Sequence, residues 1–468
     1  MLNHFNFEIL KARKEVLLTN DLGCYIFLPL KDFKELIGGT LDIENKYYDV
    51  LVDNAFITDD IPEKFVEKYK ENIRSMKSYL FTATSLHIFA VTNACNMRCV
   101  YCQARDVSTN DSDCGKMNIE TGRKAIDTAM QSPSKYLTFE FQGGEPLLNF
   151  DVVKDMILYS KSKNTDKTIE YTMVTNTVAF NDEMIDFIME NNISLCTSLD
   201  GNKIVHDGNR KSSGGKSTYD IVKSNIQKFH SMGKIVGAIE TTTRLSLKYP
   251  TEIVDEYISN GMDGIFLRSL TPLGFAKTAW KTVGYEPEEY LEFYKRAFDH
   301  ILDINLNGKC FKEIHATYFL KKILCGIGVN YMELRSPCGG TVGQMSYYHN
   351  GNVYTCDEGR MMSESGENAF LLGNVHTHSY QQMADNKTCK SLCAASVIET
   401  LPGCCDCVYQ PYCGVCPAVT YSECGDIFDK EPFGYRCKIY KGMQDVYFDI
   451  LREGGEKSEI LYMWVNEE

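Results

Sequence analysis

A chain of 468 residues, 44 % hydrophobic and 24 % charged, has the composition of an ordinary folded protein with length for about two to four domains. Its 49 basic and 63 acidic side chains leave a net charge of −14, which argues against a general nucleic-acid binder. No stretch approaches a membrane-spanning apolar run, and the start, MLNHFNFEILKARKE, has no apolar signal core. The expectation is a cytoplasmic protein with no membrane and no nucleic-acid partner. In that compartment the 19 cysteines are poor candidates for disulfides, and metal ligation is the better default.

Residues 1–80 read as a small α/β unit. FNFEIL, EVLLTN and CYIFLPL have strand length, the turn ending at Gly23 suits a hairpin, and KDFKELIG and ENKYYDVLVDNAF have helical spacing. A charged helical connector, PEKFVEKYKENIRSMKSYLF, leads into residues 81–290. There six apolar, partly β-branched runs alternate with helical patterns: LHIFAVTN, YLTFEFQGG, IEYTMVTN, ISLCTSLDG, KIVGAIETTT and DGIFLRSL. Such alternation predicts an α/β fold with a parallel sheet covered by helices. Six units are too few for a closed eight-fold barrel, so a partial barrel is expected, with its site at the carboxyl ends of the strands. Residues 291–330 form a helical bridge. From 331 to 468 periodicity fades, and eleven of the cysteines fall between Cys338 and Cys437, as in a segment folded around metal.

The first cysteine group, Cys95-Asn-Met-Arg-Cys99-Val-Tyr-Cys102, follows the first of the six strands. Three thiolates in one short loop can hold three irons of a cubane, which leaves the fourth iron without a protein ligand. Zinc usually wants four ligands in two separated pairs, and no fourth cysteine is near. The spacing, with Tyr101 before the last cysteine, resembles the cluster loop of the radical SAM enzymes. That resemblance implies a [4Fe-4S] cluster whose open iron is chelated by S-adenosylmethionine, cleaved reductively to a 5′-deoxyadenosyl radical. Gly143-Gly144-Glu145-Pro146 stands where family members contact the amino group of the nucleoside. Ser198 and Asp200 resemble the ribose-contacting segment, His206, Asp207 and Arg210 match the run that follows, and Thr175 and Asn176 are further polar candidates. Cys114 and Cys196 lack partner spacing and read as buried or incidental thiols.

The second group is Cys338, then Gly351-Asn-Val-Tyr-Thr-Cys356, then Cys404-Cys405-Asp-Cys407, Cys413 and Cys416, and finally Cys437. It resembles the SPASM extension, which binds two auxiliary iron–sulfur clusters, with one departure: two residues rather than three separate Cys413 from Cys416. The resemblance implies Cys338, Cys356 and Cys416 on the nearer cluster, with Cys325 or an open position as its fourth ligand, and Cys404, Cys407, Cys413 and Cys437 on the outer one. Cys405 is an alternative to Cys404, and Cys389, Cys393 and Cys424 are unassigned. A zinc ribbon is the rival reading, although five residues between the pairs is short for one. Asp357 follows Cys356 directly, where the sulfatase-maturing branch carries a proton-accepting acid.

Residues 1–80 resemble a winged-helix-like precursor-peptide recognition element, which binds a leader peptide by strand addition. The whole layout is similar to radical SAM/SPASM peptide maturases, and the LRSPCGG and YTCDEGRM stretches to the His-Xaa-Ser system subgroup. The resemblance implies a ribosomally made precursor peptide as substrate, modified by hydrogen abstraction to a thioether or carbon–carbon crosslink or an epimer. It also implies a flavodoxin- or ferredoxin-type reductant. An anaerobic sulfatase maturase forming formylglycine and a non-catalytic metal scaffold are the two competing readings.

Overall fold

The computed structural model describes residues 1–58, 60–104, 115–429 and 434–466; Cys114 lies outside the described residues. Strands β1 (Asn6–Leu10), β2 (Glu15–Thr19) and β3 (Tyr25–Pro29) form an antiparallel sheet in that order. The hairpin between β2 and β3 closes because Asn20 Oδ1 accepts from the Leu22 and Cys24 amides and Gly23 takes a φ of 79°, open to glycine at little cost. Val16, Leu18, Ile26 and Leu28 alternate onto one face and bury against Phe33, Leu36, Leu51 and Phe56. The opposite face is covered as well. Tyr25 and Phe27 meet the Phe448 ring, Thr19 Oγ1 donates to the Val408 carbonyl at 2.6 Å, and Tyr412 Oη donates to the Gly23 carbonyl at 3.0 Å. The amino-terminal unit is thus built onto the cysteine-rich region, a contact that no local pattern announces.

The six expected parallel strands are present: β4 (Leu86–Thr92), β5 (Tyr136–Gly143), β6 (Thr168–Val174), β7 (Ser194–Ser198) and β8 (Val236–Thr241), with the DGIFLRSL run split between β9 (Gly264–Ile265) and β10 (Leu267–Arg268). β9 pairs with β11 (Lys312–Glu313) and β10 continues the sheet beside β8. Helices Ile119–Met130, Phe150–Lys163, Asp182–Glu190, Tyr219–Ser231 and Pro250–Ser259 separate the strands. The helical bridge, Pro287–Leu306 and Ile314–Cys325, packs on the carboxyl-terminal helices Tyr435–Glu453 and Gly455–Asn466 through Phe298, Phe319, Tyr447 and Trp464. No described helix is long and apolar enough to cross a membrane.

The sheet does not end at β4. β12 (Gln344–Tyr348) lies parallel to β4, and β13 (Asn352–Tyr354) and β14 (Leu371–Asn374) follow antiparallel, for nine strands in the order β10-β8-β7-β6-β5-β4-β12-β13-β14. The segment after 331 therefore contributes to the barrel sheet itself. Its strand, QMSYY, is buried at every position, so it shows no alternation, and Gln344 and Ser346 interrupt any apolar run. Tyr347 stacks on Phe89 across the seam at 4.9 Å.

At the same seam His87 Nδ1 lies 3.0 Å from Tyr347 Oη, and burial lowers the His87 pKa from 6.5 to about 3. A group depressed in the folded state contributes its full stability above its unfolded pKa and loses it as pH falls. Stability is therefore expected to decline from pH 6.5 towards pH 3. Denaturant midpoints measured across that window should fall less steeply for His87→Phe than for the parent chain.

Candidate active site

Beyond Thr92 the chain turns through Asn93 and Ala94 into the cysteine loop, and the end of β5 props this turn. The Gly144 and Glu145 amides donate to the carbonyls of Thr92 and Ala94 at 2.7 and 2.8 Å. A β-carbon on Gly143 would lie 2.1 Å from the Thr92 carbonyl oxygen and one on Gly144 2.3 Å from that of Ala94, so no side chain fits at either. On its other side the loop is stitched to residues 209–213: the Arg98 amide donates to the Lys211 carbonyl and that of Val100 to Asn209, at 2.8 and 2.9 Å. Asn176 Nδ2 donates to Asn96 Oδ1 at 2.7 Å.

This scaffold aims Cys95, Cys99 and Cys102 into a cavity of about 490 Å³ at the carboxyl ends of the strands, a volume typical of small-molecule sites. Gly143, Gly144, Thr175, Asn176, Ser198 and Tyr101 share its wall. Burial raises the thiol pKa of Cys95 and pushes that of Cys99 up to about 12. Metal binding there must displace protons.

Two residues expected at the cofactor stand behind that wall. Glu145 is fully buried. Its Oε1 accepts from the Leu147 amide and Thr175 Oγ1, and its Oε2 from the Asn176 amide. It thereby clamps the ends of β5 and β6 together, with its pKa raised to about 7 by burial. Pro146 is buried beside it. Asp200 accepts from Tyr101 Oη on both carboxylate oxygens, at 2.9 and 2.8 Å, and the same hydroxyl accepts from Arg210 Nη1. That triad fastens the loop's last turn to β7. His206 is buried and kept neutral, and Asp207 accepts from Ser217 Oγ and from the Thr218 and Tyr219 amides, closing the turn before helix Tyr219–Ser231.

The cavity also takes residues that the sequence reading passed over. Glu140 and Gln142 project from β5 two positions apart, as one face of a strand requires, and Cys196 and Arg268 join them. Burial raises the Glu140 pKa to about 7 and that of Cys196 to about 12. The signal was an acidic and an amide residue inside an apolar strand. Across the cavity stand Asp357 and Glu358. Asp357 Oδ1 accepts from Arg360 Nε and Nη2 at 2.9 and 2.8 Å, a buried ion pair.

Cys338, Cys356 and Cys416 line one small adjoining cavity of about 20 Å³. Cys325, at the end of its helix, lines neither cavity. In the other set, Cys407 and Cys413 interact electrostatically, and Lys441 faces both Cys407 and Cys437; the Cys407 amide donates to the Cys404 carbonyl at 3.0 Å. Cys389 and Cys393 hydrogen-bond to each other one helical turn apart, and Cys424 Sγ donates to the Thr420 carbonyl at 3.0 Å. Among the described residues no three His, Cys, Asp or Glu side chains converge on a single-ion site; a cubane spreads its ligands farther apart than one zinc does.

Residues 89–252 match the radical SAM superfamily. This chain carries a radical SAM domain. It is similar to an uncharacterised protein of Methanocaldococcus jannaschii, 31 % identical over 40 % of this chain and 62 % of that one. A cysteine-type anaerobic sulfatase-maturating enzyme of Clostridium novyi is 23 % identical over 70 % of this chain and 86 % of its own length. In fold it resembles anSMEcpe with bound AdoMet, with a TM-score of 0.68 and 20 % identity over 82 % of this chain and all of that one. It also resembles Streptococcus suis SuiB bound to precursor peptide SuiA, with a TM-score of 0.55 and 14 % identity over 91 % and 97 %. The superfamily implies S-adenosylmethionine and a [4Fe-4S] cluster as cofactors. The donor set fits them: three loop thiols face one cavity, with glycine backbone and neutral polar groups on the wall beside them.

Gly144→Ala should lift the end of β5 off Ala94 and disorder the loop. Anaerobically reconstituted protein is expected to lose about four irons per chain, one cubane, as Cys95→Ala would. Iron analysis beside a circular dichroism spectrum tests this.

Proposed function

We propose that the chain is a peptide maturase whose radical SAM site modifies a ribosomally made precursor, with auxiliary clusters on the two carboxyl-terminal cysteine sets. The observation that carries this reading is the shared cavity, which has the three loop thiols on one side and Asp357 and Glu358, next to Cys356, on the other. When bound, the cluster and S-adenosylmethionine supply a 5′-deoxyadenosyl radical. The chain's own residues do the rest. Cys95, Cys99 and Cys102 hold the cluster. The backbone at Gly143 and Gly144, the polar groups of Thr175 and Asn176, and Ser198 orient the nucleoside. Glu145 and the Tyr101–Asp200–Arg210 triad hold that wall still, and Asp357 is the candidate acceptor for a substrate proton. A reduced flavodoxin- or ferredoxin-type protein of the cytoplasm would deliver the electron.

A precursor peptide fits the amino-terminal unit. Among the described residues each of its outer strands, β1 and β3, has one edge without a strand partner, the geometry for strand addition. The three-stranded sheet with helices Leu30–Ile37, Tyr48–Asp53 and Pro62–Met76 also has the layout of the implied recognition element. SuiB, whose structure is of a complex with a precursor peptide, spans 91 % of this chain. Sulfatase maturation is the second reading, favoured by the likeness to the Clostridium novyi enzyme and by Asp357 beside Cys356. Removing residues 1–80 does not separate the two, because Leu17, Thr19 and Gly23 are joined to the main core and the cysteine-rich region.

The deciding assay uses the whole chain, reconstituted without oxygen and reduced with dithionite. It is expected to release 5′-deoxyadenosine, and Cys99→Ala to abolish that. With a leader-bearing precursor the peptide should change mass, and removal of the leader should raise KM more than it lowers kcat. An aldehyde formed on a leaderless cysteine peptide of the sulfatase type would instead establish the second reading.

A further inference from the structure

The nearer auxiliary site has three cysteines, and the structure points to what completes it. Its small cavity opens towards the large one through residues that line both, among them Met332, Glu333, Gln344 and Glu358. Of these, Glu333 is already committed: Arg436 and Tyr440 donate to its Oε2 at 2.8 and 2.7 Å. Despite burial, Arg436 and Arg268 hold its pKa down to about 2. Gln344 offers a neutral amide and Met332 a thioether, both weaker donors to iron than an anion. Glu358 differs from all three. No other side chain hydrogen-bonds or ion-pairs with its carboxylate among the described residues. It also acts electrostatically on Cys338, Cys356 and Cys416 alike. This half-buried carboxylate, which no side chain holds among the described residues, stands beside the three thiols in the wall of both cavities, where an anionic oxygen can complete their donor set.

We propose that Glu358 is the fourth protein ligand of the cluster held by Cys338, Cys356 and Cys416. This rests on the reading of that set as an iron–sulfur site and assigns the position that Cys325 does not reach. The iron it binds is the one that faces the large cavity, since Glu358 stands in the wall of both. Three thiolates and one carboxylate give a cluster with one hard oxygen ligand on the substrate side. That ligand exchanges more readily than a thiolate.

The test uses the full-length chain with Cys95, Cys99 and Cys102 replaced by Ala, so that the first cluster does not contribute, loaded with ⁵⁷Fe under anaerobic conditions. In the Mössbauer spectrum one iron subsite should show the raised isomer shift of oxygen coordination. Glu358→Cys should return it to the tetrathiolate value without loss of iron. Glu358→Gln should leave the cluster in place and make that subsite respond to added imidazole or thiol. Identical spectra for the parent, Glu358→Cys and Glu358→Gln would overturn the ligand assignment while leaving the cluster reading intact. If Cys356→Ala lost no iron, the cluster reading would itself fail, and the ligand with it. Iron retained at the outer set and an unchanged circular dichroism spectrum control for folding.

Discussion

Two backbone carbonyls, those of Thr92 and Ala94, decide what can stand at the end of β5, and the whole site depends on that contact. With hydrogen in place of a side chain at positions 143 and 144, two strands close on each other and their amides and carbonyls pair. The loop that leaves β4 is thereby fixed at its first step. Its later residues are fixed by pairing to 209–213 on the far side. A loop braced at both flanks can present three thiols in one direction before any metal arrives, so less ordering is left to be done by the metal itself.

The carboxylates around the cavity fall into two kinds by what they touch. Glu145, Asp200 and Glu333 are each held by donors from neighbouring segments. They stabilise the wall by satisfying groups that burial would otherwise leave unpaired. Asp357 and Glu358 face the interior of the cavity, one tied to Arg360 and the other not. Both follow Cys356 directly, and helix Asp357–Ser363 begins there. Cys356, a member of the second cysteine group, thus starts the segment that places these acids opposite the first group.

Much of this was legible in the order of residues because the chemistry is local. C-x3-C-x2-C and the glycine pair are short-range patterns, and their strands are apolar and β-branched enough to be recognised. Side-chain identity at strand ends is legible in the sequence where side-chain direction is not. Asp200 and Glu145 are acids at strand ends, and their contacts with Tyr101, Thr175 and Asn176 appear only once the strands are brought together. Cys196 has no partner spacing, and its place in the cavity wall comes from the strand that carries it. The seventh parallel strand, β12, carried no period at all because both its faces are buried. The packing of β2 and β3 on Val408, Tyr412 and Phe448 joins residues hundreds of positions apart, beyond any sequence window.

The seam between β4 and β12 has a bearing on how such a chain can be made. Thr84 hydrogen-bonds to the Thr341 carbonyl across 257 positions, so a nascent polypeptide leaving the ribosome holds β4 as an open sheet margin until most of its length has emerged. Ile88, Phe89, Ala90 and Val91 are all buried in the finished molecule, and an apolar margin of that kind recruits foreign strands. A gene shortened at the apparent boundary near residue 330 would therefore encode a sticky fragment rather than a free-standing catalytic barrel.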